Sequence, residues 1–465
     1  MRILSLLQLL NSHILITPNM KRLALITLCA LGTSLSWAQH SYTLEQIVDS
    51  ARQNNIAMRS AAHDIDAAQQ QRREAFTKYF PNVSATGAWF DASKPMAEME
   101  LNLSDNISPE LGAALAQSMP PEALAALNQP MAMAMMKHGA IASISATQPV
   151  FAGGRIVNGN RLARVGEDVS RLQLRLAEDE VEKTAQQYFW QMVTLEEKMN
   201  TLKAVETFLN DIHKDVSLSV KAGLVLRNDL LQVQLRQNDV ESQKAKLQNA
   251  ISLVRMLLAQ YCALSDTSFT LSYPTEAAAP ATLRRDHQQA LASTAEYQLL
   301  DKQVEAANLQ KKMAVGEQLP SLAVGAGYNY HNMLGTGQHF GMVFATVSVP
   351  LSGWWGGSHA IKRKRIAEQK AIEQRADNAQ LLTIRMQKAW NDVVEAYQQL
   401  DIAARSIEQA EENLRINRNC YQAGTITMSD LLEAQMLYQQ ALDKRTDLFA
   451  DYQNKVLEYK HAVGM

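Results

Sequence analysis

The chain has 465 residues, 20% of them charged, with a formal net charge of −2, so it carries no electrostatic footprint for nucleic acid. Apolar residues make up 47% but aromatic residues only 6%. Ala, Leu, Gln and Glu carry the bulk, which suits long helices packed through small side chains, in a length that allows two or three domains.

Residues 1–38 read as a signal region. Met20-Lys21-Arg22 is a short positive stretch, Leu23–Leu31 an apolar core, and Ser36-Trp37-Ala38 a small-x-small cleavage site, with Met20 the expected start of translation. No other run is apolar for the ~18 residues a membrane helix needs. The mature chain is therefore expected beyond the inner membrane, and any membrane crossing must use β-strands.

The remainder is written twice. Phe80-Pro81-Asn82-Val83 through Trp89 matches Leu319-Pro320-Ser321-Leu322 through Tyr328 at an offset of 239. Gln148-Pro149-Val150-Phe151 matches Val349-Pro350-Leu351-Ser352, and Ala222-Gly223 through Asp229-Leu230-Leu231 matches Ala423-Gly424 through Asp430-Leu431-Leu432, both at an offset of 201. The difference of 38 residues lies between Pro81 and Pro149.

In chain order, a first helix is expected over 39–80, starting near Tyr42 and Leu44. A β-hairpin follows over 81–151, holding an insertion at 91–139. Residues 152–273 form a long helical hairpin, and 274–319 a linker and helix beginning near Leu283. A second β-hairpin covers 320–351 and a second long helical hairpin 352–465. Pro81 and Pro320 mark the switches from helix to strand. Val83, Ala85, Gly87 and Trp89 alternate with Asn82, Ser84 and Thr86; Leu322, Val324, Ala326, Tyr328 and Tyr330 do the same. The returning strands are expected at about 140–150 and 340–351. Trp89, Phe90, Tyr328, Tyr330 and Phe340 would line one rim of a barrel, and Phe151, Trp354 and Trp355 the other. A small soluble sheet with ordinary aromatic packing fits the alternation equally well.

No proline occurs from Val150 to Tyr273 or from Leu351 to Met465. The stretch from Ile156 to Val220 would be a helix roughly 95 Å long. Leu162, Val165, Val169, Leu172 and Leu176 recur along it at steps of three and four. Gly223 and Gly424 are expected as the hairpin tips. Four strands cannot close a barrel, which needs about eight or more, so the chain must oligomerise through its strands. Three copies would supply twelve.

Carried by Pro81, Pro320, Pro149, Pro350 and the duplicated Ala-Gly…Asp-Leu-Leu segments, the chain resembles the TolC-like outer membrane efflux family from Tyr42 to its end. The resemblance implies a mainly α fold with a small β part. Long antiparallel coiled-coil helices would form a trimeric helical barrel in the periplasm, and four strands per chain a twelve-stranded barrel in outer-membrane lipid. It implies an exit duct of a tripartite efflux pump or type I secretion system, working with a periplasmic adaptor and an inner-membrane pump or secretion ATPase. No cofactor, metal or catalysis is implied. It also implies a periplasmic aperture lined by Asp430 and Glu433, and a contact between Tyr421 and Asp229 that holds it shut. The family often places an arginine where this chain has Ile426. From the residues themselves, Asp430 and Glu433 lie three apart on one helix face, while Asp430 and Asp229 also read as ordinary helix-start acids.

Two rivals are weighed. An enzyme is disfavoured because Gly153-Gly154 lacks the glycine spacing of a nucleotide loop and no metal or nucleophile motif appears. An adaptor would carry one hairpin and several soluble β domains. The insertion 91–139 holds five of the twelve prolines and seven methionines. It reads as a partly helical external loop, or as a soft-metal site using thioethers beside His138, His331 and His339. The run Ile361–Arg365, echoed by Arg161 and Arg164, reads as a solvated helix face, as contact with inner-leaflet phosphates, or as a cationic band in the lumen. Cys262 and Cys420 lie too far apart along their helices for a disulfide and are expected as free, buried thiols.

Overall fold

The computed structural model describes residues 41–465, apart from 96, 102–106, 121, 124, 126–130, 136, 265–267, 334–335 and 352. The signal region 1–38 lies outside the described residues. In chain order come β1 (Ser41–Thr43), α1 (Leu44–Asn54), α2 (Ile56–Thr77), β2 (Asn82–Asp91), β3 (Ala97–Leu101), α3 (Pro109–Ser118), β4 (Met131–Met135), β5 (His138–Phe151), α4 (Arg155–Lys221) and α5 (Arg227–Cys262). Then follow β6 (Thr270–Ser272), α6 (His287–Leu291), α7 (Ala295–Gly316), β7 (Ser321–His331), β8 (Gln338–Ser348), α8 (Gly353–Gln422) and α9 (Met428–Ala462). Two long helices thus run without interruption for 67 and 70 residues. No described helix is long and apolar enough to cross a membrane.

The chain forms two compact units, and the boundary between them falls inside α4, α8 and α9. The first holds the residues up to Ile56, Glu180–Arg284 and Asn391–Glu458. Its core is aromatic despite the low aromatic content. Trp190 is fully buried and meets Phe189, Tyr273 and Phe449 edge to face. Thr43 caps α1 with a capping box closed by Gln46. That start aims Ile47, Val48 and Ala51 into the core. Ser50 donates to the Cys262 carbonyl at 2.8 Å, and Arg52 pairs with Glu182 at 2.7 Å. β1 pairs parallel with β6, a two-stranded clip not expected from the sequence.

The second unit holds residues 57–179, 285–390 and 459–465. Its centre is one four-stranded antiparallel sheet of order β2-β5-β7-β8. The two predicted hairpins therefore join through β5 and β7. Pro81 and Pro320 stand just before β2 and β7, as their blocked N–H and fixed φ favour. Pro149 does not end its strand: β5 continues to Phe151 through a register shift between Pro149 and Phe151, a bulge that absorbs the missing donor. β8 ends at Ser348, two residues before Pro350.

Directly paired residues share a face, so the register sorts the sheet. One face carries Val83, Ala85 and Trp89 on β2, Ala142, Ile144 and Ala146 on β5, Val324, Ala326 and Tyr328 on β7, and Val343, Ala345 and Val347 on β8. These apolar side chains have no cover in the protomer: Val343 is 87% exposed and Trp89 74%. The opposite face carries Ser84, Thr86, Ser143, Ser145, Thr147 and Asn329 alongside Phe340, Met342 and Phe344. Gly325 there makes room for the Phe344 ring, which a Cβ would strike. Trp89, Phe90, Tyr328, Tyr330 and Phe340 gather at the end of the sheet nearest the β2–β5 and β7–β8 loops.

Below the sheet the duplication reaches single ion pairs. Arg72 on α2 meets Glu167 on α4 at 2.9 Å, and Lys311 on α7 meets Glu368 on α8 at 2.5 Å. The same offsets of 239 and 201 relate the partners. Hydrogen bonds from Arg171 and then Arg72 hold the Glu167 carboxyl below its ordinary range; Lys311 and then Asn308 do so for Glu368. Within the insertion 91–139, β3 pairs antiparallel with β4, and α3 lies between them in the chain. A carboxylate whose pKa is depressed by folding stabilises the fold above its unfolded pKa and loses that contribution as pH falls. The melting temperature of the wild type should therefore fall more steeply below about pH 4.5 than that of the Glu167→Gln, Glu368→Gln double variant. Equal slopes in differential scanning fluorimetry would contradict the role given to these pairs.

Candidate functional site

The site is built where the two long helices of the first unit end. Both end alike. Gly223 has φ +78° and Gly424 φ +73°, the left-handed region that costs glycine least. Gly223 N–H donates to the Val220 carbonyl at 3.0 Å and Leu224 N–H to Ser219 at 2.9 Å; Gly424 N–H donates to Tyr421 at 2.9 Å and Thr425 N–H to Cys420 at 3.0 Å. These are paired Schellman caps, and they satisfy carbonyls that the helix ends would orphan. Nothing lies within 4 Å of a Cβ added at either glycine, so the demand is one of backbone angle and not of space. Gly223 and Gly424 thus stand at the chain reversals the sequence predicts.

The two tips share one apolar cluster. Ile212, Val216 and Val233 from the first hairpin pack with Met428 and Leu431 from the second, and Phe208, Val220, Leu414 and Tyr421 border them. The Arg418 guanidinium lies 5.8 Å from the Phe208 ring centre. Leu224 and Leu226, at 78% and 74% exposure, project uncovered from the first tip.

Around this cluster the four predicted polar residues divide into two pairs. Tyr421 is half-buried, and its hydroxyl pKa is raised first by burial and then by the charge of Asp229. The structure therefore brings these two into one electrostatic neighbourhood, but no hydrogen bond joins them. Asp430 and Glu433 lie together on an exposed face of α9. The Asp430 carboxylate accepts from Thr427 N–H at 2.9 Å and from Thr427 Oγ1 at 2.7 Å, while Asp430 N–H donates back to Thr427 Oγ1 at 3.3 Å. Asp430 is thus a helix-start acid, as the sequence allowed, and remains accessible. Thr427 holds its pKa below the usual carboxylate value, first by the hydroxyl bond and then by the backbone one. Glu433 forms no ion pair with any described residue. Ile426, half-buried, contributes no cation to the tip.

Cys262 and Cys420 are free. Burial pushes the Cys262 thiol up to about 12, whereas Cys420 is only half-buried, less than the sequence suggests. Among the described residues no cluster of His, Cys, Asp or Glu is placed to hold a metal ion. Met99 and Met133 occupy paired positions of β3 and β4, but this register alone makes no thioether site.

Residues 287–464 match the pattern of the outer membrane efflux protein family. No curated protein matches by sequence. Among solved structures, the outer membrane protein VceC from Vibrio cholerae aligns with TM-score 0.69 at 16% identity over 90% of this chain and 96% of its own. The Campylobacter jejuni CmeC outer membrane channel aligns with TM-score 0.70 at 15% identity, covering 93% and 90%. The open state of the Neisseria gonorrhoeae MtrE outer membrane channel aligns with TM-score 0.68 at 13% identity, covering 90% and 88%. At these identities the likeness is one of fold, and it spans both repeats where the family pattern covers the second.

The informative residues of this site include some that sequence reasoning missed. Thr427 is the main one. Thr427-x-x-Asp430 is a capping-box spacing legible in the sequence, and repeat one has Leu226 in the equivalent place with no side-chain cap. Thr427→Ala should cost about 1 kcal/mol at the start of α9 and so speed amide exchange over 427–433 about five-fold. Hydrogen–deuterium exchange with mass readout measures it, and unchanged exchange would show that the cap is idle.

Proposed function

We propose that the protein is the passive outer-membrane exit duct of a tripartite efflux pump or type I secretion system. Its observed sheet carries the proposal: four antiparallel strands, apolar along one face, with both edges unpaired. In lipid every backbone N–H and C=O needs a partner, so such a sheet is viable only when closed by further strands. Three copies would close a barrel of twelve strands, apolar side outward as membrane barrels require. The helices would then extend into the periplasm, toward an adaptor and an inner-membrane pump or secretion ATPase. Energy would come from those partners. The family match over residues 287–464 and the fold likeness support the duct; the homotrimer, the partners and the roles of the tip residues are inferences from them.

In the trimer, Asp430 and Glu433 would place six carboxylates around one axis. The Thr427 bonds to Asp430 do not oppose this, because they keep its carboxylate charged further into acid. Such a ring would pass cations and bind divalent ions. The Asp229 and Tyr421 pair, sited where both tips share a cluster, would hold the closed state through packing and polarity.

Single-channel recording in planar bilayers tests the reading. Asp430→Asn with Glu433→Gln should weaken cation selectivity and divalent block, about ten-fold in blocking concentration for ~1.4 kcal/mol of lost attraction. Tyr421→Phe with Asp229→Ala should raise conductance by loosening closure. A neutralised ring that kept wild-type selectivity and block would place the constriction elsewhere, and a protein that formed no pore would overturn the duct itself.

A further inference from the structure

A groove of ≈ 750 Å³ lies in the second unit, between the last turns of α2 and the first turns of α4. Arg72, Arg73, Arg161 and Arg164 line it, with Phe76 and Tyr79. Its one acid, Glu167, is already held by Arg72 and Arg171. Arg73, Arg161 and Arg164 are exposed and make neither an ion pair nor a hydrogen bond with any described residue. Three unpaired guanidinium groups beside one groove repel one another unless an anion joins them.

The order of the lining residues along both helices says which anion. On α2, Arg72 and Arg73 come first and Phe76 next; Tyr79 then leads into β2 at Asn82. On α4 the order is reversed in sequence and identical in space: β5 ends at Phe151, Val157 follows, then Arg161 and Arg164. Moving away from the strands, the groove is therefore apolar first and cationic second. The aromatic side is open, with Phe76 stacked edge to face on Tyr79 and Phe80. A free anion has no use for an apolar wall, and a water-filled lumen would not favour an exposed aromatic cluster. A phospholipid has both parts in this order, since its acyl chains leave the phosphate toward the membrane.

Repeat two keeps the charges. Arg73, Arg161 and Arg164 correspond to Lys312, Lys362 and Arg365 at the same offsets of 239 and 201, and all three are exposed. The aromatic pair is not kept: Val315 and Gln318 stand in the places of Phe76 and Tyr79. The charge is thus common to both repeats, while the groove with an apolar wall belongs to the first.

We propose that Arg73, Arg161 and Arg164 bind the phosphate of an anionic phospholipid of the inner leaflet, with Phe76 and Tyr79 against the start of its acyl chains. The proposal rests on the outer-membrane reading above. The full-length protein, reconstituted in mixed phosphatidylethanolamine and phosphatidylglycerol vesicles and re-extracted gently, is examined by native mass spectrometry, with conductance recorded in parallel. Wild type should retain phosphatidylglycerol in preference to phosphatidylethanolamine. Arg73→Gln with Arg161→Gln and Arg164→Gln should lower that retention about ten-fold or more while assembly and conductance stay unchanged. The matching triple lysine variant, which keeps the charge, should retain most of it. Equal retention in wild type and glutamine variant would overturn the proposal. Displacement of the lipid by excess inorganic phosphate would do so too, by making this a free-anion site. A change in ion selectivity without a change in lipid retention would instead put the arginines in the lumen. A wild type that neither inserts nor conducts would count against the duct, not against this site.

Discussion

A β-sheet with two bare edges and one bare apolar face cannot stand alone in any solvent. In water the face that carries Val83, Trp89, Ile144, Val343 and Val347 would drive aggregation. In lipid that face is satisfied, and the difficulty moves to the edges of β2 and β8, whose backbone groups have no strand beside them. The two demands have one joint solution, closure with further copies inside a membrane. The proposed trimer follows from this constraint.

Duplication supplies the material for that closure. Each repeat delivers a strand pair, a long helix ended by a Schellman glycine, and an ion pair tying the helix before the strands to the helix after them. Where the repeats part company, function has room. Thr427 and Asp430 form a capping box at the second tip, and the first tip has no such cap. Asp229 is left beside Tyr421 instead. One repeat thus presents a charge outward and the other lends a charge to the shared cluster.

Much of this was legible in the sequence because the signals are strong ones. Pro81 and Pro320 place strand starts to within a residue, and Gly223 and Gly424 place the helix breaks, since few other residues tolerate those backbone angles. The strand expected over about 140–150 runs past Pro149 to Phe151 because a bulge absorbs the missing donor. Ser41–Thr43 and Thr270–Ser272 form a parallel pair of three residues each, too short for any periodicity to register. The Arg72–Glu167 and Lys311–Glu368 pairs join segments far apart in the chain, and only the two repeat offsets taken together could have found them. The acids at the second tip were visible as a pair three residues apart. Their division into a capped Asp430 and an unpaired Glu433 needed the geometry of Thr427.

In the proposed trimer β2 of one copy pairs with β8 of the next. Cysteines placed singly on β2 and on β8, in a chain whose Cys262 and Cys420 are replaced by serine, test this by oxidation in native membranes followed by denaturing electrophoresis. Covalent dimers and trimers are expected, in a ladder that stops at three. A cross-link formed only within single chains, or none at any register, would contradict it.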